Sequence, residues 1–292
     1  MLTVVMPSFH SSSLVEDRIL EIGEDIPIII IENSKDIKFK RKTEKKFKNV
    51  NIIIPDENLG WGKAINLGIK KSSTDFVFIT QPDVMLIDRC IEKLIECTKN
   101  FQDFTVLTPI DTNDQIFKNY ETKNVYKSNI LDNKFLLQEV DYVDLTWLIN
   151  KNNLGDADLW DENIFLYFEA KDFSKRIKEN KKKIFIAKGI RTFHIGSSSH
   201  DKRLEYFSKL NRNWHYNWSR YYFNKKHFGK FYALKKAIIL IFKLVSKYLR
   251  AVIFFKNKDR KLIYAELHGL ICSVLNKSSY YRPYKNINLQ KL

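Results

Sequence analysis

The sequence predicts an α/β protein in which a mostly parallel sheet is covered by helices. Short apolar runs recur at 2–6, 27–31, 51–54 and 76–80, and segments with helical spacing lie between them. Continuous Ile/Val-rich runs bounded by turn residues mark strands buried on both faces, and strands that alternate with helices pair in parallel. A break in charge near residue 200 predicts a separate helical region after the sheet.

The chain enters an apolar run at once, MLTVVM, with no basic segment before it. It reads as a first strand, Leu2–Met6, stopped by Pro7, and not as a signal peptide. Val15–Ile22 has helical spacing. Pro27–Ile31 places four isoleucines after a proline and reads as a second strand. Lys35–Lys48 is a charge run, expected to be a solvated loop and helix face. Asn51–Ile54 is a third strand, ended by Pro55. In Gly62–Lys71, Ala64, Ile65 and Ile69 share one helix face. Phe76–Thr80 is a fourth strand, and Ile87–Thr98 a helix with Ile91, Leu94 and Ile95 on one side. Residues 100–160 are less regular, with a candidate strand at Val140–Asn150 around Trp147. Ile164–Arg176 reads as a helix, and Ile184–Ala187 and Arg191–His194 as short strands.

Composition excludes several classes. With 44% hydrophobic and 29% charged residues in 292, the chain can bury a core and is not globally disordered. Cys90, Cys97 and Cys272 are odd in number and lack metal spacing, which excludes a disulfide framework or zinc ribbon and suits a reducing compartment. Residues 1–200 carry 29 Lys/Arg against 30 Asp/Glu. Residues 201–292 carry 21 against 4, so the net charge of +16 arises in the tail. Such a tail suits an anionic partner surface. Trp214, Trp218, Tyr221, Tyr222 and Phe223 crowd among its basic residues. Lys235, Lys236, Lys243, Lys247 and Arg250 then interrupt Phe231–Phe255 too often for a membrane span, and a helix lying in the membrane interface fits better. Stacking on nucleic-acid bases is the competing reading of the cluster.

In parallel sheets ligands bind beyond the carboxyl ends of the strands. That rule directs attention to Pro7-Ser8-Phe9, Glu32-Asn33-Ser34, Asp56-Glu57-Asn58 and Gln81-Pro82-Asp83. No nucleophile elbow, zinc-protease motif or phosphate-binding loop is present, and the glycines of GWGKAINLG have the wrong spacing for a dinucleotide fingerprint. Asp83 could hold a divalent cation that bridges phosphates, or it could be a turn or helix-capping residue. Glu169 and Asp172 share a helix face in FLYFEAKDF; either could be a general base, or they could pair with Lys175 or Arg176. His194 opens HIGSSSH, which suits phosphate or metal contact, or a structural role. Trp147 is most simply a core residue.

The segments TVVMPSF, IIIIENS, ENLGWGKAINLGI, FVFITQPDV, LWDENIFLYFEAKDFSKRI and TFHIGSSS follow one another in an order that resembles the bacterial family 2 glycosyltransferases, specifically their rhamnosyltransferase-like branch. The resemblance covers roughly residues 1–200 and implies a nucleotide-diphospho-sugar transferase (GT-A) fold there; independently of it, charge and apolar pattern make 201–292 a basic amphipathic helical region expected at a membrane surface. It implies that Pro7 and Ser8 line the nucleotide pocket, that Glu32 meets the base or ribose, and that Asn58, Gly60 and Asn66 cover the nucleotide with Lys63 near the phosphates. Asp83 matches the last acid of the family's Asp-x-Asp metal motif and His194 a metal- or diphosphate-contacting histidine, so Mg2+ or Mn2+ is the implied cofactor. Asp161 and Glu162 match the acceptor-side pair, with Trp147 also assigned to the acceptor side.

Two departures stand out. The metal motif reads Gln81-Pro82-Asp83, without its first carboxylate. The position of the family's usual second acceptor-side acid is Ala170, which leaves Glu169, then Asp172, for the base. The implied reaction is transfer with inversion from a nucleotide-diphosphate sugar, dTDP-rhamnose or a UDP-sugar, to a glycan or lipid-linked acceptor at the cytoplasmic face of the membrane. Gln81 and Ala170 motivate an alternative, a nucleotide-sugar-binding protein with impaired catalysis. A nucleic-acid-binding protein is motivated by charge alone, and nucleic acid is not an expected partner.

Overall fold

Each Ile/Val-rich run of the first eighty residues forms a strand. In a computed structural model describing residues 1–113, 118–122, 134–196 and 204–283, β1 (Leu2–Ser8), β2 (Ile28–Glu32), β3 (Val50–Ile53) and β4 (Phe76–Ile79) pair in parallel in the order β3-β2-β1-β4. Helices α1 (Ser12–Ile22), α2 (Ile37–Lys46) and α3 (Trp61–Lys71) connect them. The chain then forms β5 (Val84–Leu86), α4 (Cys90–Asn100), β6 (Val106–Asp111), β7 (Tyr120–Glu121), β8 (Leu137–Glu139), β9 (Tyr142–Val143), β10 (Trp147–Asn150), α5 (Glu169–Glu179) and β11 (Ile184–His194).

Among the described residues the sheet continues from β4 through β10, β6 and β11 to β5, with β8 also on β11. β10 runs antiparallel to β4 and β6, and β11 runs parallel to β6. The sheet is therefore mostly parallel, with β10, β5 and β8 reversed. β7 and β9 form a separate pair.

Alternation along each strand divides the core. Val4, Met6, Ile28, Ile30, Phe76 and Phe78 face α1, α2 and α4; Val5, Ile29, Ile31, Val77 and Ile79 face α3 and α5. Each such side chain, fully buried, is worth roughly 1.5–3 kcal/mol of transfer free energy. Both faces being covered explains why these strands lack polar alternation.

The elements differ from expectation at several places, and the strand expected over Val140–Asn150 is split into β9 and β10. β1 does not stop at Pro7 but runs to Ser8, with Pro7 opposite Ile31 and Ser8 opposite Glu32. The Val4 N–H points at the β2 side, to the Pro27 carbonyl, so by alternation the position of Pro7 faces the β4 side. β4 pairing ends at Val5 opposite Ile79, so no ladder bond needs a donor at residue 7. The helix expected from Ile87 begins at Cys90, after Asp88 and Arg89 in left-handed conformations. Ile184–His194 is one strand with a register shift between Ala187 and Arg191. The helix expected from Ile164 begins at Glu169, because Tyr167 and Phe168 both have positive φ, 67° and 68°.

The chain forms two compact units, Met1–Trp160 with Ala170–His200, and Asp161–Glu169 with Asp201–Leu292. In the second, α6 (Glu205–Phe228) meets α7 (Lys230–Ile253) at Gly229, and α8 (Asn257–Val274) follows. Trp214, Trp218, Ala265 and Cys272 are buried together, as are Tyr221, Ala233, Ala237 and Leu270. A Cβ on Gly269 would lie 2.2 Å from the Trp214 carbonyl oxygen, so only glycine lets α8 approach α6 this closely. α7 buries Ala233, Ala237, Leu244 and Ala251 and exposes Phe231, Ile238, Phe242, Leu249 and Ile253. Among the described residues no helix is long and apolar enough to cross a membrane.

Candidate functional site

The carboxyl ends of β1 and β2 are tied into one rim. The Asn33 N–H donates to the Ser8 carbonyl at 2.8 Å, and the Ser8 and Ser11 hydroxyls are 3.2 Å apart. Glu32, buried at the end of β2, accepts from the Ser34 N–H at 2.7 Å and from the Ser34 hydroxyl. The Asn33 side chain accepts from the Leu59 N–H at 3.0 Å, and Asn58 from the Gly60 N–H at 2.9 Å. Gly60, at φ +75°, turns this loop into the first turn of α3. Pro7, Ser8, Glu32, Asn58 and Gly60 are thus brought to one edge, with half-buried Lys63 one turn into α3. Asn66 lies deeper: its amide donates to the Trp160 carbonyl at 2.8 Å and accepts from the Trp160 N–H at 3.0 Å. Its side chain anchors a neighbouring loop inside the fold.

Asp83 lies in the turn between β4 and β5, well before α4, so it is not a helix cap. It is buried; its Oδ2 lies 3.4 Å from His194 Nε2, while Oδ1 is buried and has no hydrogen-bond partner among the described residues. β11 brings His194 opposite Val84. The His194 N–H donates to Asp111 at 2.9 Å, and the Asn113 amide donates to the His194 carbonyl at 2.7 Å. Burial alone would lower the His194 pKa, but its contact with Asp83, and the charges of Asp111 and Asp144, raise it. Asp144 is pushed up by burial, against the Tyr142 hydroxyl, the Leu145 N–H and the charges of Lys171 and His194. Gln81 donates to the carbonyl of Leu145 at 3.1 Å, where Leu145 has φ +72°. Gln81, in place of a first acid, therefore fixes a strained turn that carries Asp144.

Sequence reasoning missed Asp111 and Asp144. Each follows or adjoins a short strand, VLTPID and YVD, which is the signal that drew attention to Asp83. Ser197, Ser198 and Ser199 of the HIGSSSH segment lie outside the described residues.

A divalent cation fits Asp83 and His194. The orphaned buried oxygen of Asp83 is a ligand awaiting a partner, and hard cations are often held by one or two protein groups plus substrate phosphates. Among the described residues no three His, Cys, Asp or Glu side chains converge on one position, so phosphate oxygens and water would complete the shell.

Trp147 is core-buried, as its simplest reading held, within a cluster. Its ring centroid is 4.7 Å from Trp61 and 6.0 Å from Trp160, and Trp160 stacks on Phe173 at 3.8 Å. The indole N–H groups of Trp147 and Trp160 are buried without hydrogen-bond partners among the described residues.

The acidic candidates of the acceptor side differ from one another. Asp172 is fully enclosed and binds Arg176 Nε at 2.8 Å, while Arg176 donates to the Leu159 carbonyl at 2.7 Å. The salt-bridge reading holds for Asp172, and an enclosed paired carboxylate is not available as a base. Asp161 accepts from the Tyr222 hydroxyl at 2.9 Å, from Lys226 at 2.6 Å, and from the Asn163 N–H at 3.0 Å. Burial would raise its pKa, but Lys226 and Asn163 hold it below the usual range. It fastens its loop to α6 and has both oxygens engaged. Glu162 is exposed. Glu169 is half-buried and is the first residue of α5, directly after the left-handed pair. Phe168 packs on Tyr216 and Phe223, and the Ser219 hydroxyl donates to the Leu166 carbonyl at 2.9 Å, which hold that turn.

The family model described as glycosyl transferase family 2 matches residues 3–161, and the chain belongs to that family. A search of curated proteins returned no match. Among solved structures, the mannosyltransferase PcManGT from Pyrobaculum calidifontis, in complex with GDP-Man and Mn2+, superposes with a TM-score of 0.56 at 11% identity, over 95% of this chain and 88% of that one. TarS of S. aureus gives 0.52 at 14%, over 72% of this chain and 38% of its own. GalNAc-T7 with UDP, GalNAc and Mn2+ gives 0.50 at 12%, over 66% and 43%. The fold shared with them is the GT-A fold, as the sequence resemblance implied.

Proposed function

We propose that this glycosyltransferase moves a sugar, with inversion, from a nucleotide-diphosphate donor to a hydroxyl of a lipid-linked surface glycan. A dTDP-rhamnose or UDP-sugar is the favoured donor. The observation that carries the reading is the buried pair Asp83–His194 after the strand ends, with one Asp83 oxygen lacking a hydrogen-bond partner among the described residues. Likeness to structures solved with GDP-Man or UDP supports a nucleotide-sugar donor in this region.

In this reading Glu32 and the Asn33–Asn58 loop hold base and ribose, and Lys63 adds positive charge near the phosphates. Asp83 and His194 would hold Mg2+ or Mn2+, which as a Lewis acid neutralises charge on the departing diphosphate. Glu169 accepts the proton of the attacking hydroxyl, since Asp172 is enclosed and residue 170 is alanine. Single displacement makes two demands, removal of the acceptor's proton and stabilisation of the leaving group. The helical unit, residues 201–292 with Asp161–Glu169, is proposed to sit on the cytoplasmic membrane surface. On α7 the exposed residues Phe231, Ile238, Phe242, Leu249 and Ile253 form one stripe, and the helix carries six Lys/Arg and no acid.

A thermal-shift screen against UDP-, dTDP- and GDP-sugars with Mn2+ tests the reading, because a ligand that binds only the folded state raises the midpoint by mass action. One nucleotide class should shift it, and hydrolysis or transfer of that donor should follow. A shift without any turnover, even with lipid-linked acceptors, would favour the impaired binding protein instead.

A further inference from the structure

The helical unit contains a cleft of 640 Å³ that has no part in the chemistry above. Trp214 of α6, Tyr248 of α7, and Tyr264 and His268 of α8 form its walls, and Arg260 and Lys261 stand on the first turns of α8. The walls are set by ring contacts. Trp214 stacks on Tyr281 with centroids 5.5 Å apart, Tyr264 stacks on His268 at 5.6 Å, and the Trp214 indole N–H donates to His268 Nδ1 at 3.1 Å. No acidic residue lines the cleft, and neither Arg260 nor Lys261 has an acidic partner among the described residues. Elsewhere in the same unit basic side chains are paired, as Lys226 is with Asp161 and Lys247 with Glu266. Tyr248 belongs to the helix whose opposite face is the exposed apolar stripe.

We infer that this cleft binds a phosphate ester bearing an apolar chain, with Arg260 and Lys261 on the phosphate and the aromatic walls along the first part of the chain. The inference rests on the reading that the acceptor is lipid-linked, and it names the part of that acceptor this unit would hold. Two adjacent unpaired cations match a doubly charged phosphate, and Arg can bind it bidentately. An aromatic-walled volume of this size, with its two cations together on α8, suits an apolar ligand with one charged end. Free phosphate shares the charge but not the chain, and a bilayer surface shares the chain but presents it as an area rather than a single group.

Titration of the full-length protein, read by tryptophan fluorescence, separates these sources with three probes: inorganic phosphate, farnesol, and farnesyl phosphate below its aggregation threshold. Farnesyl phosphate should bind saturably and at least tenfold tighter than either fragment. The double variant Arg260→Gln/Lys261→Gln should weaken it at least tenfold, and Tyr264→Ala should weaken farnesyl phosphate more than inorganic phosphate. Flotation of the double variant on phosphatidylglycerol vesicles should remain near wild type. The inference is overturned if farnesyl phosphate binds no tighter than farnesol, if the double variant binds it unchanged, or if vesicle and farnesyl phosphate binding fall together. Donor-induced thermal shifts are recorded on the same samples. Loss of the donor shift alone would reject glycosyl transfer and leave the cleft standing; loss of farnesyl phosphate binding alone would reject only the cleft.

Discussion

Nε2 of His194 lies 3.4 Å from Oδ2 of Asp83, and the main chain couples the same two positions through the Ile195 N–H, which donates to the Asp83 carbonyl at 2.9 Å. A turn after β4 and the end of β11, more than a hundred residues apart in sequence, are thus tied together at two points. The remaining Asp83 oxygen is buried and has no partner among the described residues, an arrangement that costs about 1–3 kcal/mol unless a cation or donor meets it.

Asp83→Ala should therefore remove Mn2+-dependent donor binding while leaving the fold intact or slightly more stable. Calorimetric titration of Mn2+ in the presence of the donor nucleotide reads the first effect, and thermal melting the second. His194→Ala should weaken the metal but retain part of the binding. Unchanged Mn2+ affinity in Asp83→Ala would show that the cation site is elsewhere.

Glu169 and Asp172, three residues apart, should respond in different ways to the same change. Glu169→Gln should lower transfer by about 10²-fold or more, the usual range for a lost general base, and keep the donor-induced thermal shift. Asp172→Asn leaves Arg176 without its buried partner and should cost about 3–5 kcal/mol of stability. Denaturant melts and initial rates on both variants decide the matter. Normal turnover in Glu169→Gln would remove it from the mechanism.

The contrast between these two acids shows what the sequence could and could not reveal. Both sit at helical spacing in an aromatic segment, so their chemistry looked alike. Only the pairing of Asp172 with Arg176, and the positive φ of Tyr167 and Phe168 that delays the helix to Glu169, separates them. The first four parallel strands were legible because each is a self-contained Ile/Val-rich run whose burial on both faces shows in composition, whereas β6, VLTPID, carries no such run. Asp111 and Asp144 were not, because their proximity to His194 depends on how β6, β10 and β11 assemble. Asn66 and Asp161 match family positions, yet the first binds Trp160 and the second Tyr222 and Lys226, partners 94, 61 and 65 residues away. Such partners leave no local pattern.

The helical unit should lose stability in mild acid through His215. Its ring is fully buried. Nδ1 accepts from the Ser279 hydroxyl at 2.9 Å and Nε2–H donates to the Tyr281 carbonyl at 2.8 Å, which satisfies the neutral form. Burial pushes its pKa down to about 3, with the charge of Arg282 acting in the same direction. In the unfolded chain the group titrates near 6.5, so between those values the unfolded state holds more protons. The contribution is complete above pH 6.5 and falls by about 1.4 kcal/mol per unit below it, near 2 kcal/mol by pH 5. The raised pKa of His194 acts oppositely, its contribution being lost as pH rises through that value. Urea melts at pH 7, 6 and 5 followed by tryptophan emission should show the decline, and His215→Asn should flatten it. A slope that survives in His215→Asn would assign the effect to other groups.

Attachment of α7 to an anionic bilayer is the most readily tested consequence of the charge asymmetry. Phe231, Phe242, Leu249 and Ile253 are between 55% and 89% exposed, too much apolar surface on one stripe for an ordinary solvated helix. Lys236, Lys243, Lys247 and Arg250 follow the same helical repeat one step round, beside the stripe. A helix of this kind lies in the headgroup region, with rings inserted and lysines reaching phosphate. Each basic residue near an anionic leaflet contributes about 1 kcal/mol, and that part is screened by salt, whereas the inserted rings contribute a part that is not. The two parts can be separated in the full-length protein. Lys236→Gln/Lys243→Gln should lose flotation on phosphatidylglycerol vesicles mainly at low salt, where wild type binds most strongly. Phe242→Asp/Leu249→Asp should lose it at every salt concentration, with melting unchanged because neither side chain is buried. Packing against another copy of the chain predicts the reverse pattern: the aspartate variant would change the sedimenting mass in the absence of lipid, and vesicle composition would not matter. Recovery of wild type that is independent of anionic lipid, or equal to that of Phe242→Asp/Leu249→Asp, would show that α7 does not anchor the protein to a membrane.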